Sequence, residues 1–243
     1  MNLLSRSRKH SIIGSFVLLF LPADNVGSLS ARPSPIFRNV SSKVGIIAAF
    51  TALNLATDYM LTGLPNVKFM DAFYFIATFE FGLSVGLPVV CFTRTAYAIV
   101  NPLGAAPGFL IVFLVVGDSM YVLSGYLARR FRLVEKESSA GDRVLSIGLI
   151  GLFSALGFDL ITNLGTGLSM VGGSSLQSHL WGALVFGLIT MNFPLPLGIV
   201  HEASDFLFFS TLVPSSLALL SRSGLITTGP LGRVIGKRGD NQN

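Results

Sequence analysis

The sequence predicts an all-α fold: a polytopic membrane helical bundle of about six transmembrane helices, with one short re-entrant or external helix. Hydrophobic residues make up 51% of the 243 and charged residues only 12%, about half the charged share of an ordinary soluble domain. Several apolar runs approach or exceed the ~20 residues needed to cross a bilayer. The basic residues, 17 in all, gather in flanks and loops between these runs, as the positive-inside rule expects. That placement assigns the net charge of +5 to the membrane surface rather than to nucleic acid. The single cysteine, Cys91, excludes an intrachain disulfide and a cysteine-based zinc site.

Residues 1–42 read as an N-terminal extension. Arg6, Arg8 and Lys9 precede the apolar run Ile12–Leu21, followed by Pro22 and a Ser/Pro-rich stretch to Pro35. The order resembles a signal peptide, with Ser28 and Ser30 bracketing a cleavage point. A peripheral helix or an upstream extension explains it equally well. The membrane domain covers 43–221, and residues 222–243 form a basic tail.

Val44–Leu61 is the first membrane segment. It carries Ala48, Ala52 and Ala56 on one face, because four-residue spacing returns to the same side of a helix. Small residues there let another membrane helix approach closely. The segment breaks at Leu61-Thr62-Gly63-Leu64-Pro65. The next apolar block reads as two helices, roughly 67–81 and 82–100, joined near Glu80-Phe81-Gly82. Charge decides that number. With two crossings, the basic flank (Arg32, Arg38, Lys43) and the basic loop after Phe109–Leu127 (Arg129, Arg130, Arg132, Lys136, Arg143) share the cytoplasmic side. Val144–Leu164 follows as a span. Ser178–Phe193, about 24 Å long as a helix, is short for an independent crossing. Leu197–Leu220, after Pro194 and Pro196, is the last span. This layout leaves only Lys68 and Arg94 facing outward. A seventh crossing would add Arg222, Arg233, Lys237 and Arg238 to them.

Ionisable groups inside a bilayer cost roughly 2.5–3.5 kcal/mol each on insertion scales, so they face a cavity or a partner. Here they come in pairs one helical turn apart: Asn54 with Asp58, Asp159 with Asn163, and His201 with Asp205. Asp58, Asn163 and His201 fall near outward helix ends and so could line one pocket open to the outside. Each has a plainer reading. Asp58 and Asp71 sit near a loop, where solvation suffices. Asp118, mid-span, serves equally as a structural hydrogen-bond partner. Glu80 fits a cap between short helices on the cytoplasmic side. Glu202 and Asp205 open a helix whose N-terminal end favours anions. Phe73 or Trp181 could stack on a flat ligand, and Trp181 serves equally as an interfacial anchor.

Catalytic motifs are sparse. His201-Glu202-Ala203-Ser204-Asp205 compares with the zinc motif H-E-x-x-H, but Asp stands at the fifth position. The other histidines, His10 and His179, lack ligand spacing to it. A His/Asp metal site completed by Asp159 is the form a membrane metalloenzyme would take. There is no G-x-x-x-x-G-K-[ST] phosphate loop and no nucleophile elbow. Gly172-Gly173-Ser174-Ser175 reads as a loop. The expectation is therefore a chain without catalytic residues, cofactor or metal.

In order along the chain, four features resemble the substrate-capture (S) components of energy-coupling factor transporters. They are the small-residue helix Ile46–Ala56, the run Pro65-Asn66-Val67-Lys68-Phe69-Met70-Asp71 with its aromatic helix closing on Phe81-Gly82-Leu83-Ser84-Val85-Gly86, the exit Leu123-Ser124-Gly125-Tyr126-Leu127-Ala128-Arg129-Arg130, and the start Pro194-Leu195-Pro196-Leu197-Gly198-Ile199-Val200-His201-Glu202. The likeness covers about residues 43–221. It implies a six-helix, non-enzymatic subunit that binds a vitamin-like micronutrient near the outer face, with Asn54, Asp58, Asp159, Asn163, His201 and Asp205 as candidate contacts. Ala48, Ala52 and Ala56 would dock on a membrane coupling subunit driven by two cytoplasmic ATPases. The chain departs from the pattern in its extension and in Gly165–Phe193. A self-sufficient secondary transporter is the alternative, although no internal repeat of the kind common in that class is evident.

Overall fold

The computed structural model describes residues 40–134, 140–170, 176–192 and 196–222. Among them are seven helices and no strand: α1 (Val40–Met60), α2 (Met70–Phe81), α3 (Leu83–Ile99), α4 (Gly108–Arg130), α5 (Ala140–Met170), α6 (Leu176–Asn192) and α7 (Leu197–Arg222). Most of the extension, the tail beyond 222, the run 172–175 and Pro194 lie outside the described residues.

Four helices are long and apolar enough to cross a membrane: Val40–Met60, Gly108–Arg130, Gly141–Met170 and Leu197–Leu220. That is fewer than the six or so expected, and the shortfall has local causes. Gly82, at φ 86, breaks the 67–100 block where the glycine suggested, and neither half then reaches ~20 residues. The first half is shortened further by the segment 61–69, where Asn66 adopts φ 59. At 12 residues, α2 is about 18 Å long against a ~30 Å hydrocarbon core.

Apolar on every side, α2 is the protein's interior: each residue from Met70 to Glu80 is buried, as an all-round apolar helix requires. It packs on α1, α3, α4 and α7, while α5 holds α4, α6 and α7 together. The core runs from Tyr74, Phe75 and Phe79 of α2 through Tyr121 of α4 to Phe209, Val213 and Leu217 of α7.

Where the sequence suggested that the fifth span ends at Leu164, α5 continues to Met170. Gly165 and Gly167 are packing positions, not terminators. A Cβ on Gly167 would stand 1.7 Å from the Ala183 carbonyl oxygen, and one on Gly187 would stand 1.9 Å from that of Asn163. The end of α5 and α6 thus meet backbone to backbone, antiparallel, through small residues. At its other end α6 returns to the start of α7, where the Gly198 amide donates to Asn192 Oδ1 at 3.2 Å.

Gly167→Leu is expected to lower the unfolding temperature of the detergent-solubilised protein, at a cost of about 1–3 kcal/mol or more from overpacking. Gly45→Ala, in open space on α1, should be neutral or stabilising by up to about 1 kcal/mol through helix propensity. Thermal melts of both variants check the contrast.

Candidate functional site

A cavity of ≈ 310 Å³ opens at one end of the bundle, framed by the C-terminal ends of α1 and α3, the segments 61–68 and 101–106, and the first residue of α7. Its frame is pinned by hydrogen bonds. Asn66 Nδ2 donates to the Leu197 carbonyl at 3.0 Å, tying the segment after α1 to α7. Tyr59 Oη donates to the Val100 carbonyl at 3.0 Å, tying α1 to the end of α3. The left-handed backbone at Asn66 suits the residue, since asparagine tolerates that conformation better than most side chains.

Three charged residues line this cavity: Asp58, Lys68 and Arg94. Asp58 is 3% exposed, and among the described residues neither of its carboxylate oxygens has a hydrogen-bond partner. Arg94 is already matched. Its Nε donates to Asp118 Oδ2, and a terminal nitrogen donates to Oδ1 at 2.7 Å. This is the two-pronged geometry that makes arginine–carboxylate pairs strong. Lys68, half-buried, places Nζ 5.4 Å from the Phe158 ring centre, and Arg94 Cζ lies 5.6 Å from the same ring.

Beneath Phe158 lies a second cluster. Its ring meets that of His201 edge to face at 5.1 Å. His201 Nδ1 is 3.0 Å from Asp159 Oδ1, and Nε2 is 3.1 Å from Asp71 Oδ2. Donation to both acids is what an imidazolium supplies, since it carries an N–H on each nitrogen. Tyr121 Oη donates to Asp205 Oδ2 at 2.6 Å and lies 3.3 Å from His201 Nε2. One cluster therefore joins α2, α4, α5 and α7. Asp71, His201 and Asp205 each offer a ligand atom, all within 4.8 Å of one another, so among the described residues these three side chains form the group that could hold a metal ion. Glu202 is partly exposed and is not in that group.

The sequence candidates separate accordingly. Asp58 lines the cavity. Asp159, His201 and Asp205 meet in the cluster below. Asn54 is buried between α1 and α3, with Nδ2 3.5 Å from Thr93 Oγ1. Asn163 lies where α5 meets Gly187 of α6. Ala48, Ala52 and Ala56 are all exposed on the outer face of α1. Asp71, open to a solvated reading from sequence, is fully buried against His201. The C-terminal carbonyls of α2 are capped by Arg129, which donates to Phe79 and Glu80. Lys68, Arg94 and Tyr121 were not among the sequence candidates. Arg94 carried a readable signal, a cation inside an apolar run with Asp118 inside another.

Arg94→Met should destabilise the protein by about 3–5 kcal/mol, because it leaves Asp118 buried and unpaired. Adding Asp118→Leu should recover most of that loss. A double-mutant cycle on thermal unfolding tests this, and additive effects would remove the pair as a structural unit. No family model matches the chain, and it matches neither a curated protein nor a solved structure.

Proposed function

We propose that the chain is the membrane-embedded substrate-binding subunit of an ATP-driven energy-coupling factor importer for a vitamin-like micronutrient, non-catalytic itself. The cavity carries the reading. It lies between the segment after the first helix and the start of the last, where the resemblance puts the ligand, and it combines an apolar wall with few charged groups, as small-molecule sites do.

In this proposal the membrane part crosses six times, with α2 and α3 counted as short crossings and α6 as the external helix. Its packing on the last turns of α5 supports that assignment. The cavity end, with Lys68 and Arg94, then faces outward. The end where Arg129 caps α2, and the basic flanks, face the cytoplasm. The exposed face with Ala48, Ala52 and Ala56, beside Gly45 with open space around it, suits close approach of a coupling subunit. That partner is energised by two cytoplasmic ATPases.

Mass spectrometry of small molecules retained by the mildly solubilised, purified protein tests the reading. A stoichiometric vitamin-like compound is expected, whereas gradient-driven uptake by the isolated chain would mark a secondary transporter instead. Ala52→Leu should cut energised uptake about tenfold or more, the consequence of 1–3 kcal/mol of lost close packing. Ligand retention by the isolated chain should be unchanged, and equal loss of both would sink the docking role.

A further inference from the structure

We propose, resting on the capture reading, that the small molecule bound in the cavity is a zwitterion, its cationic end on Asp58 and its anionic end toward Lys68. Two separate observations point there. Asp58 lines the cavity with both carboxylate oxygens buried and unpartnered among the described residues, a state that is costly unless the carboxyl takes a proton or a cation or N–H donor arrives. Lys68 lines the same cavity. The contact described for its ammonium is the Phe158 ring, with no described carboxylate in ion-pair range.

Opposite charges in one cavity would normally close into a salt bridge. Here each acts on the other's charge, but neither Asp58 oxygen receives a hydrogen bond. Asp58 sits on the last turn of α1. Lys68 sits on a segment whose backbone is fixed by the left-handed turn at Asn66 and its bond to Leu197. Arg94, the third charged lining residue, is bonded to Asp118 and gives neither Asp58 oxygen a hydrogen bond. A purely cationic ligand would give Asp58 a direct partner and Lys68 none, and a purely anionic one would do the reverse. A molecule carrying both charges satisfies both walls. The cavity of ≈ 310 Å³ lies at the lower end of the roughly 300–1,000 Å³ range of ligand sites. That favours a compound of modest size over one on the scale of a corrinoid.

The test offers the purified chain, in lipid nanodiscs, an equimolar pool of single-ring compounds of matched size. Zwitterions, monocations, monoanions and neutral molecules are equally represented, and retained compounds are identified by mass spectrometry after gel filtration. Zwitterions should dominate. Asp58→Asn and Lys68→Gln should each reduce their retention about tenfold to a hundredfold, the loss expected for one charged contact, and Lys68→Arg should restore most of it. Retention mainly of singly charged or neutral compounds overturns the zwitterion assignment and leaves the capture reading standing. A folded wild-type chain that retains nothing overturns both. Variants that keep the wild-type elution volume yet retain zwitterions undiminished remove Asp58 and Lys68 from the site.

Discussion

The contacts of the buried His201 ring with two carboxylates from other helices hold much of the bundle together. In a membrane the hydrophobic effect does not press one helix against another, so packing and polar contacts carry the association. The imidazole, 1% exposed, reaches Asp71 on α2 and Asp159 on α5, while Tyr121 of α4 holds Asp205 beside it. Four helices meet at these side chains. Each of them would be expensive alone, and together they set the depth at which the helices stand relative to one another. A shift of α7 by one turn would leave both of the acids that His201 meets unanswered. The short α2 belongs to the same arrangement. Too short to have been chosen for crossing alone, it brings Asp71 to the centre of the protein, and its remaining sides are filled by aromatic packing.

Phe158 connects this cluster to the cavity. Its ring lies against His201 below and near the Lys68 and Arg94 cations above. An aromatic face attracts cations through its quadrupole, so the ring separates the groups while remaining electrostatically favourable to them. Lys68 lines the cavity while its charge also acts on Asp71 and Asp205 of the cluster, and Asp118 bonds Arg94 from α4. The charged groups of the cavity and of the cluster therefore form one continuous electrostatic network.

Much of this was readable from the residues, but unevenly. Apolar runs and the distribution of lysine and arginine located the helices, and Gly82 marked the break between α2 and α3. Three things escaped for physical reasons. Apolar composition is the same for a helix facing lipid and one buried in protein, so composition alone did not show that α2 is buried along its length. The expected fifth span stopped at Leu164, so Gly165 and Gly167 fell outside it although α5 runs through both to Met170. One-turn spacing identified pairs such as His201 with Asp205, but partners across helices depend on rotation and depth, which no local pattern encodes. Asp71 and Tyr121, distant in sequence from His201, joined the cluster only in three dimensions. Lys68 and Arg94 had been read for their sidedness, and their position around one cavity was a tertiary property.

The least buried long helix bears on how binding could be felt elsewhere. The fully buried residues of α1 are Asn54 and Asp58, with Ile46, Ile47 and Phe50 packed partly against the core. Its outer face, including Ala48, Ala52 and Ala56, is exposed. A helix held by so little apolar contact is positioned to an unusual degree by its polar residues, and among the described residues neither carboxylate oxygen of Asp58 has a partner. In the proposed capture role, a ligand group meeting Asp58 would add a strong contact at the cavity end of α1. The opposite face of the same rigid helix is the face offered to the coupling subunit. Occupancy of the cavity and presentation of the docking face would then be linked through one element whose position both ligand and partner bias, which is the physical requirement for coupling two sites.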